Sequence, residues 1–238
     1  MATKLQSTQI SSAVKASVLC AAVASAMLTG GCTVQHKTAT DSYAITEKIA
    51  SLRVEDYGGA IDVVGGTADE IKVTENFEYS DDKPHTEHSV KGSELLLKNA
   101  GCGSGAKKCG VQYKVQVPAA TALALELGGG AITVRGMSGA TYAKSEGGSV
   151  EVSNSTAKSV TAIVDGGDAT ASFSAVPDKV DVQSGGGDAS VTLPPGTYAV
   201  DATTDGGGRQ VSVKNDPTSP HKIKAHTDGG RVSVLSAG

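Results

Sequence analysis

The chain has 238 residues, a formal net charge of −4, 30 glycines, no tryptophan and only 3% aromatic residues. Mild acidity argues against nucleic acid and against broad adhesion to anionic lipid, both of which call for basic surfaces. The length suits one domain, and so few large side chains leave only a thin, Val/Ala-based core.

Residues 1–31 do not read as part of a fold. Lys4 and Lys15 are the only charges before Cys32, and an Ala-rich apolar run extends from Ala16 to Leu28. A positive start, a short apolar core and then small residues describe a secretory signal. The run is too short for a membrane-spanning helix, which needs about 20 apolar residues. The segment ends Leu28-Thr29-Gly30-Gly31-Cys32. That ending resembles the lipobox of bacterial lipoproteins, in which a cysteine thiol receives diacylglycerol before cleavage. The usual leucine stands three residues before the cysteine; here Thr29 has that place and Leu28 is one further back. The alternative is an ordinary signal peptide cut near Ala26 or Gly31, leaving a soluble protein. The resemblance implies lipidation of Cys32 and an extracytoplasmic, membrane-held domain. Two or three acyl chains would make the anchor long-lived. Loss of the two leader lysines takes the net charge to about −6. Residues 32–43 are polar, without apolar periodicity, and are expected to form a tether.

Residues 44–120 carry longer strand patterns. Ser51–Val64 is a strand, a Gly-Gly pair and a second strand; Glu70–Tyr79, Glu94–Lys98 and Val111–Val117 follow, with turns at Asp81–Pro84 and Lys91–Ser93. Cys102 and Cys109 lie in Gly-Cys-Gly-Ser-Gly-Ala-Lys-Lys-Cys-Gly. Outside the cytoplasm such a pair is most simply a disulfide. A redox pair or two metal ligands are the alternatives, but the spacing is not Cys-x-x-Cys and no second ligand pair lies nearby.

Residues 121–238 hold an internal repeat. Glycine clusters end at Gly130, Gly148, Gly167, Gly187, Gly208 and Gly230, at spacings of 18, 19, 20, 21 and 22 residues. Each is followed by an alternating strand pattern, and most are preceded by another. Period-two alternation buries one face and wets the other. The glycines could close β-hairpins, or successive units could stack as coils of a β-solenoid with the glycines in a column. Near-constant spacing of both strands and turn favours the solenoid. The expected fold is all-β: about six strand–GG–strand coils capped by an N-terminal sheet region. Pro194–Gly196 and Asp216–Pro220 would take up the drift in spacing.

Glycine clusters flanked by Val-Thr-Val-like strands, a Val-Pro before the first repeat, Leu-Pro-Pro-Gly-Thr-Tyr and Asp-Pro-x-Ser-Pro-His-x-Ile occur in that order. Over roughly Ala44 to Leu235 this order resembles a family of bacterial β-strand-repeat proteins, many of them lipoproteins. The family is grouped as adhesins by analogy and has no agreed function. The resemblance implies a solenoid-like fold at the cell surface and transfers no catalytic residue.

Candidate chemistry is sparse. Phosphate-cradling loops need a following helix, and these loops run strand to strand. Gly-Gly-Asp at Asp168 and Asp188 resembles calcium β-roll repeats, but the period is twice as long and the equivalent positions hold Ala131, Ser149, Arg209 and Arg231. The aspartates at 165, 205 and 228 read as turn formers. His85 and His88 lie in a loop or strand, where residues three apart point to opposite faces; His221 and His226 read as surface residues. No serine stands in Gly-x-Ser-x-Gly. The expectation is a non-enzymatic, monomeric, lipid-anchored surface module with no metal and no cofactor. Its expected partner is a protein or glycan of the envelope. Alternatives are a carbohydrate- or peptidoglycan-binding module, a weak glycan-active enzyme, or an accessory lipoprotein serving a membrane partner. Tyr142, Phe173 and Tyr198 are the aromatics of the repeat half on which sugars could stack.

Overall fold

The computed structural model describes residues 36–101 and 109–238; the leader, Cys32 and Cys102 lie outside them. Among the described residues the chain is all-β. The N-terminal strands are β1 (Lys37–Ile45), β2 (Ser51–Asp56), β3 (Gly59–Gly66), β4 (Ile71–Tyr79), β5 (Thr86–Lys91), β6 (Glu94–Asn99) and β7 (Cys109–Pro118). The repeat region follows with β8 (Ala122–Leu127), β9 (Gly130–Arg135), β10 (Thr141–Ser145), β11 (Val150–Ser155), β12 (Ser159–Val164), β13 (Ala169–Phe173), β14 (Lys179–Ser184) and β15 (Ala189–Leu193). It ends with β16 (Thr197–Thr204), β17 (Arg209–Val211), β18 (Lys214–Asn215), β19 (Lys222–Thr227) and β20 (Val232–Ser236).

These strands form two ten-stranded mixed sheets. One runs β1-β4-β7-β3-β9-β11-β13-β15-β20-β17, the other β5-β6-β2-β8-β10-β12-β14-β19-β16-β18. From β8 to β17 successive strands alternate between the sheets. Within each sheet their neighbours are parallel and in register, as where Ala143 lies beside Leu125 on one side and Ala162 on the other. The two strands flanking a glycine cluster therefore lie in different sheets, which is not a hairpin. Antiparallel pairing is confined to the N-terminal end, at β1–β4, β4–β7 and β5–β6.

Both ends break the sequence order. β19 and β20 insert between β14/β15 and β16/β17, and β6/β7 lie outside β2/β3. The last strands of the C-terminal end, β17 and β18, are only three and two residues long. Short edges limit pairing with another chain.

Residues 37–43, expected in the tether, form most of β1. Its pattern is masked because it is an edge strand. One side pairs with β4, only Ala39, Tyr43 and Ile45 bury surface, and the remainder is solvated.

Inward-facing residues make one continuous core. At the N-terminal end it is bulky, with Leu52, Ile61, Phe77, Leu95, Leu97 and Tyr113 buried. In the middle it narrows to Ala143, Ala162, Ala171, Val182, Ala189 and Ala225. Small side chains let the two sheets approach closely, and the backbone ladders carry more of the structure there. The bulky end also holds a polar group: buried Glu75 accepts hydrogen bonds from Tyr43 Oη (2.7 Å) and Thr86 Oγ1 (2.6 Å). Burial, and then the Glu75 carboxylate, push the Tyr43 hydroxyl well above the usual phenol range.

Candidate functional site

The glycine turns line one edge of the two sheets, where their backbones stack. Gly128 N donates to Asp56 O (2.9 Å), Glu146 N to Leu127 O (3.0 Å), Asp165 N to Ser145 O (3.1 Å), Gly185 N to Val164 O (2.9 Å), Asp228 N to Ser184 O (3.1 Å) and Asp205 N to Thr227 O (3.2 Å). The first turn residues thus form a column: Tyr57, Gly128, Glu146, Asp165, Gly185, Asp228, Asp205. Carboxylates occupy four of its seven places.

Two residues on lies a column of close approach. A Cβ on Gly130 would overlap the carbonyl oxygen of Gly59; on Gly148, that of Gly130; on Gly167, that of Gly148. On Gly187, Gly230 and Gly207 it would collide in turn with Gly167, Gly187 and Gly230. At the fifth cluster the column takes Gly207, not Gly208, whose own Cβ would meet only the Arg231 side chain at 3.7 Å. Gly59 and Gly130 also have positive φ, +139° and +119°. At the other five, proximity of the next backbone alone excludes a side chain.

A hydroxyl ladder, buried at Ser145, Ser184 and Thr227 and half-buried at Thr204, supports this column from inside. Ser145 Oγ donates to Gly130 O (2.8 Å), Ser184 Oγ to Gly167 O (2.7 Å), Thr227 Oγ1 to Gly187 O (2.6 Å) and Thr204 Oγ1 to Gly230 O (2.8 Å). Three of these oxygens also accept from the turn: Gly187 N to Ser184 (2.8 Å), Gly230 N to Thr227 (3.1 Å) and Gly207 N to Thr204 (3.0 Å). The sequence signal is Ser/Thr-x-Gly-Gly, legible but missed. Outside the column, Asp168 Oδ1 accepts from Asp188 N, and Asp188 Oδ1 from Arg231 N, both at 2.8 Å. The Gly-Gly-Asp carboxylates therefore bind main chain of the neighbouring turn. The residue equivalent to them at the fifth cluster is Gly208 rather than Arg209, because the column takes Gly207.

At the N-terminal end of the same edge is an open cleft of about 330 Å³. Its lining includes Asp56, Tyr57, Lys98, Asn99, Glu126 and Glu146. Arg53 holds Glu55 at 2.7 Å and reaches Glu126 at 3.7 Å, while Lys98 lies 3.7 Å from Glu55. Glu55 and Glu126 are thus tied by cations. Asp56 is buried; its Oδ1 accepts from Asn99 Nδ2 (2.7 Å) and Gly58 N (3.2 Å), and its Oδ2 has no hydrogen-bond partner among the described residues. Burial pushes its carboxyl above the usual range, against the pull of those hydrogen bonds. Tyr57 stands 74% exposed beside it. The cleft offers hydroxyl-binding groups and one exposed ring.

The other candidate residues are placed apart. Phe173 and Tyr198 are buried, and Tyr198 Oη donates to Pro194 O (2.8 Å); neither can stack a sugar. Tyr142 is half-buried on an outward face. His88 stacks on Tyr43 (centroids 4.5 Å), whereas the His85 backbone pairs with Gly101 and Ala100. His221 Nδ1 lies 2.9 Å from Pro177 O. Cys109 opens β7, and its expected partner Cys102 lies outside the described residues.

No protein-family model matches the sequence, and no curated protein does. Some solved structures align with the chain at low identity. A putative cell adhesion protein from Clostridium sporogenes aligns with a TM-score of 0.48 at 13% identity, over 84% of this chain and 100% of its own. A putative adhesin from Bacteroides fragilis aligns with a TM-score of 0.37 at 14% identity, over 84% and 97%. One from Parabacteroides distasonis gives 0.33 at 12% identity, over 84% and 97%.

Proposed function

We propose that the chain is a lipid-anchored, non-enzymatic surface module, an adhesin-like or envelope interaction protein whose parallel strands wind as a β-solenoid. The observation that carries this is the position of β1. It begins at Lys37, five residues after Cys32, and is the outermost strand at one end of its sheet. Five residues reach at most about 18 Å, so a lipid on Cys32 would hold that end close to the membrane. The shorter spacer follows from the strand at residues 37–43. The C-terminal turns, with Asp205 and Asp228, would then lie farthest from the bilayer.

The surface offered to a partner is the turn edge: glycines without side chains bordered by a column of carboxylates. Cys102 and Cys109 form a disulfide in this account. The test is affinity capture from intact envelope with the wild-type chain and with Cys32→Ala. Partners captured by the anchored form and lost when Glu146, Asp165 and Asp228 are replaced by Asn or Gln support the reading. Unchanged capture by that variant contradicts it.

A second reading, glycan binding, is favoured by the exposed Tyr57 ring beside the cleft. It requires that peptidoglycan fragments bind the wild-type chain and that Tyr57→Ala abolishes the binding.

A further inference from the structure

Asp205, His226 and Asp228 each place a ligand atom within 4.8 Å of the other two. The sequence expectation had no metal, with the aspartates as turn formers and His226 as a surface residue. The inserted strand β19 changes that. β16 and β19 are parallel neighbours with Thr203 beside His226 and Thr204 beside Thr227. Asp205 and Asp228 therefore take the same turn position after adjacent strands, and His226 stands on β19 itself, two residues before Asp228.

The ring is oriented from its far side. His226 Nδ1 lies 2.8 Å from Thr203 Oγ1, and Nε2 lies 2.9 Å from Asp228 Oδ1. Donation of Nδ1–H to the threonine oxygen leaves the Nε2 lone pair directed at the Asp228 carboxylate, the form in which one cation would take Nε2 and Oδ1 together; in the other tautomer the Thr203 hydroxyl donates to Nδ1 and Nε2–H donates to Asp228. Metal-bound histidines are commonly fixed in the first way, through their second nitrogen. Two nearby basic side chains are directed elsewhere: Lys224 lies 3.8 Å from Asp181, and Arg209 Nε donates to Ala202 O at 2.7 Å; the Arg231 side chain stands beside Gly208. The next residue in the column is Gly185, which adds no side chain.

We propose that Asp205, His226 and Asp228 bind one divalent ion of the zinc class. One imidazole and two carboxylates suit zinc and its late-transition-metal neighbours, whereas calcium takes six to eight oxygens. Three protein ligands leave coordination positions for water. The ion joins the turn after β16 to the turn after β19, where the chain order reverses, and so staples the C-terminal end.

The test is calorimetric titration of zinc chloride, and separately calcium chloride, into the full untagged chain in detergent. The expected result is saturable one-to-one zinc binding and no calcium heat. His226→Asn and Asp228→Asn should abolish it, Asp205→Asn should weaken it at least about tenfold, and Thr203→Val about tenfold through loss of ring orientation. His85→Asn should leave it unchanged, and zinc should raise the melting temperature of wild type but not of His226→Asn. Zinc binding that survives His226→Asn lies elsewhere, on thiols or other histidines, and overturns the proposal. So does absence of zinc binding to a wild-type chain whose circular dichroism shows β-structure.

Discussion

Replacing Gly148 with alanine tests why the glycines recur. A Cβ there would overlap the carbonyl oxygen, carbonyl carbon and Cα of Gly130, all backbone atoms that no rotamer change can move. The neighbouring turn glycine Gly129 is the control, since a Cβ on it meets nothing within 4 Å and its φ lies outside the left-handed region. Gly→Ala at such an open site stabilises by about 0.4–1 kcal/mol through the unfolded chain. Overpacking costs about 1–3 kcal/mol, and displacement of a stacked backbone belongs at the upper end. Gly148→Ala should therefore be about 3 kcal/mol less stable than wild type, and Gly129→Ala equal or slightly more stable. For a chain of this size that is a fall of about 6–12 °C in melting temperature. Circular dichroism melts and urea midpoints at constant slope measure it. If the two variants fall within about 0.5 kcal/mol of each other, the glycines serve only as flexible turns and the close-approach account is wrong.

Three further outcomes follow from named contacts. Thr227→Val strips a buried hydroxyl that donates to Gly187 O and accepts from Gly230 N; it should cost about 1–3 kcal/mol in urea unfolding, and no change would remove the ladder from the account. Burial raises the Asp56 carboxyl, so its contribution to stability is full below its unfolded value of about 4 and is lost as the pH rises through the raised folded value. Asp56→Asn can keep the hydrogen bonds from Asn99 and Gly58 without the charge. It should melt higher than wild type at neutral pH and show a flatter melting profile upward from about pH 4; a lower neutral-pH melting temperature would contradict this. Alkylation of the unfolded, unreduced chain should leave Cys102 and Cys109 unmodified in mass spectra. Reduction should lower stability by about 2.5 kcal/mol in the chain-entropy estimate for so short a loop.

Much of the edge was legible in the sequence because turn chemistry is local. Gly130, Gly148, Gly167, Gly187 and Gly230 announce themselves by spacing, and Gly58-Gly59 by the strands on either side. The fifth cluster holds three glycines, and only the Thr204-Asp-Gly-Gly frame shows that Gly207 takes the close-approach position. Order along the sheets was not legible. β14, β16 and β19 all alternate apolar and polar residues and would pair in the same register, so nothing local says that β19 lies between the other two. The juxtaposition of Asp205 with His226 and Asp228 depends on that insertion and was invisible for the same reason. β1 was missed because an edge strand with one solvated side needs little hydrophobic alternation.

The most direct test of the anchored-module account is the intact mass of the chain extracted from membranes of the expressing bacterium, compared with Cys32→Ala. The account predicts a wild-type mass that begins at Cys32 and carries the added mass of a diacylglyceryl group, with or without a third acyl chain. It predicts that Cys32→Ala is either released or retained as unprocessed precursor. A wild-type chain that begins elsewhere, or that begins at Cys32 without lipid, would contradict it.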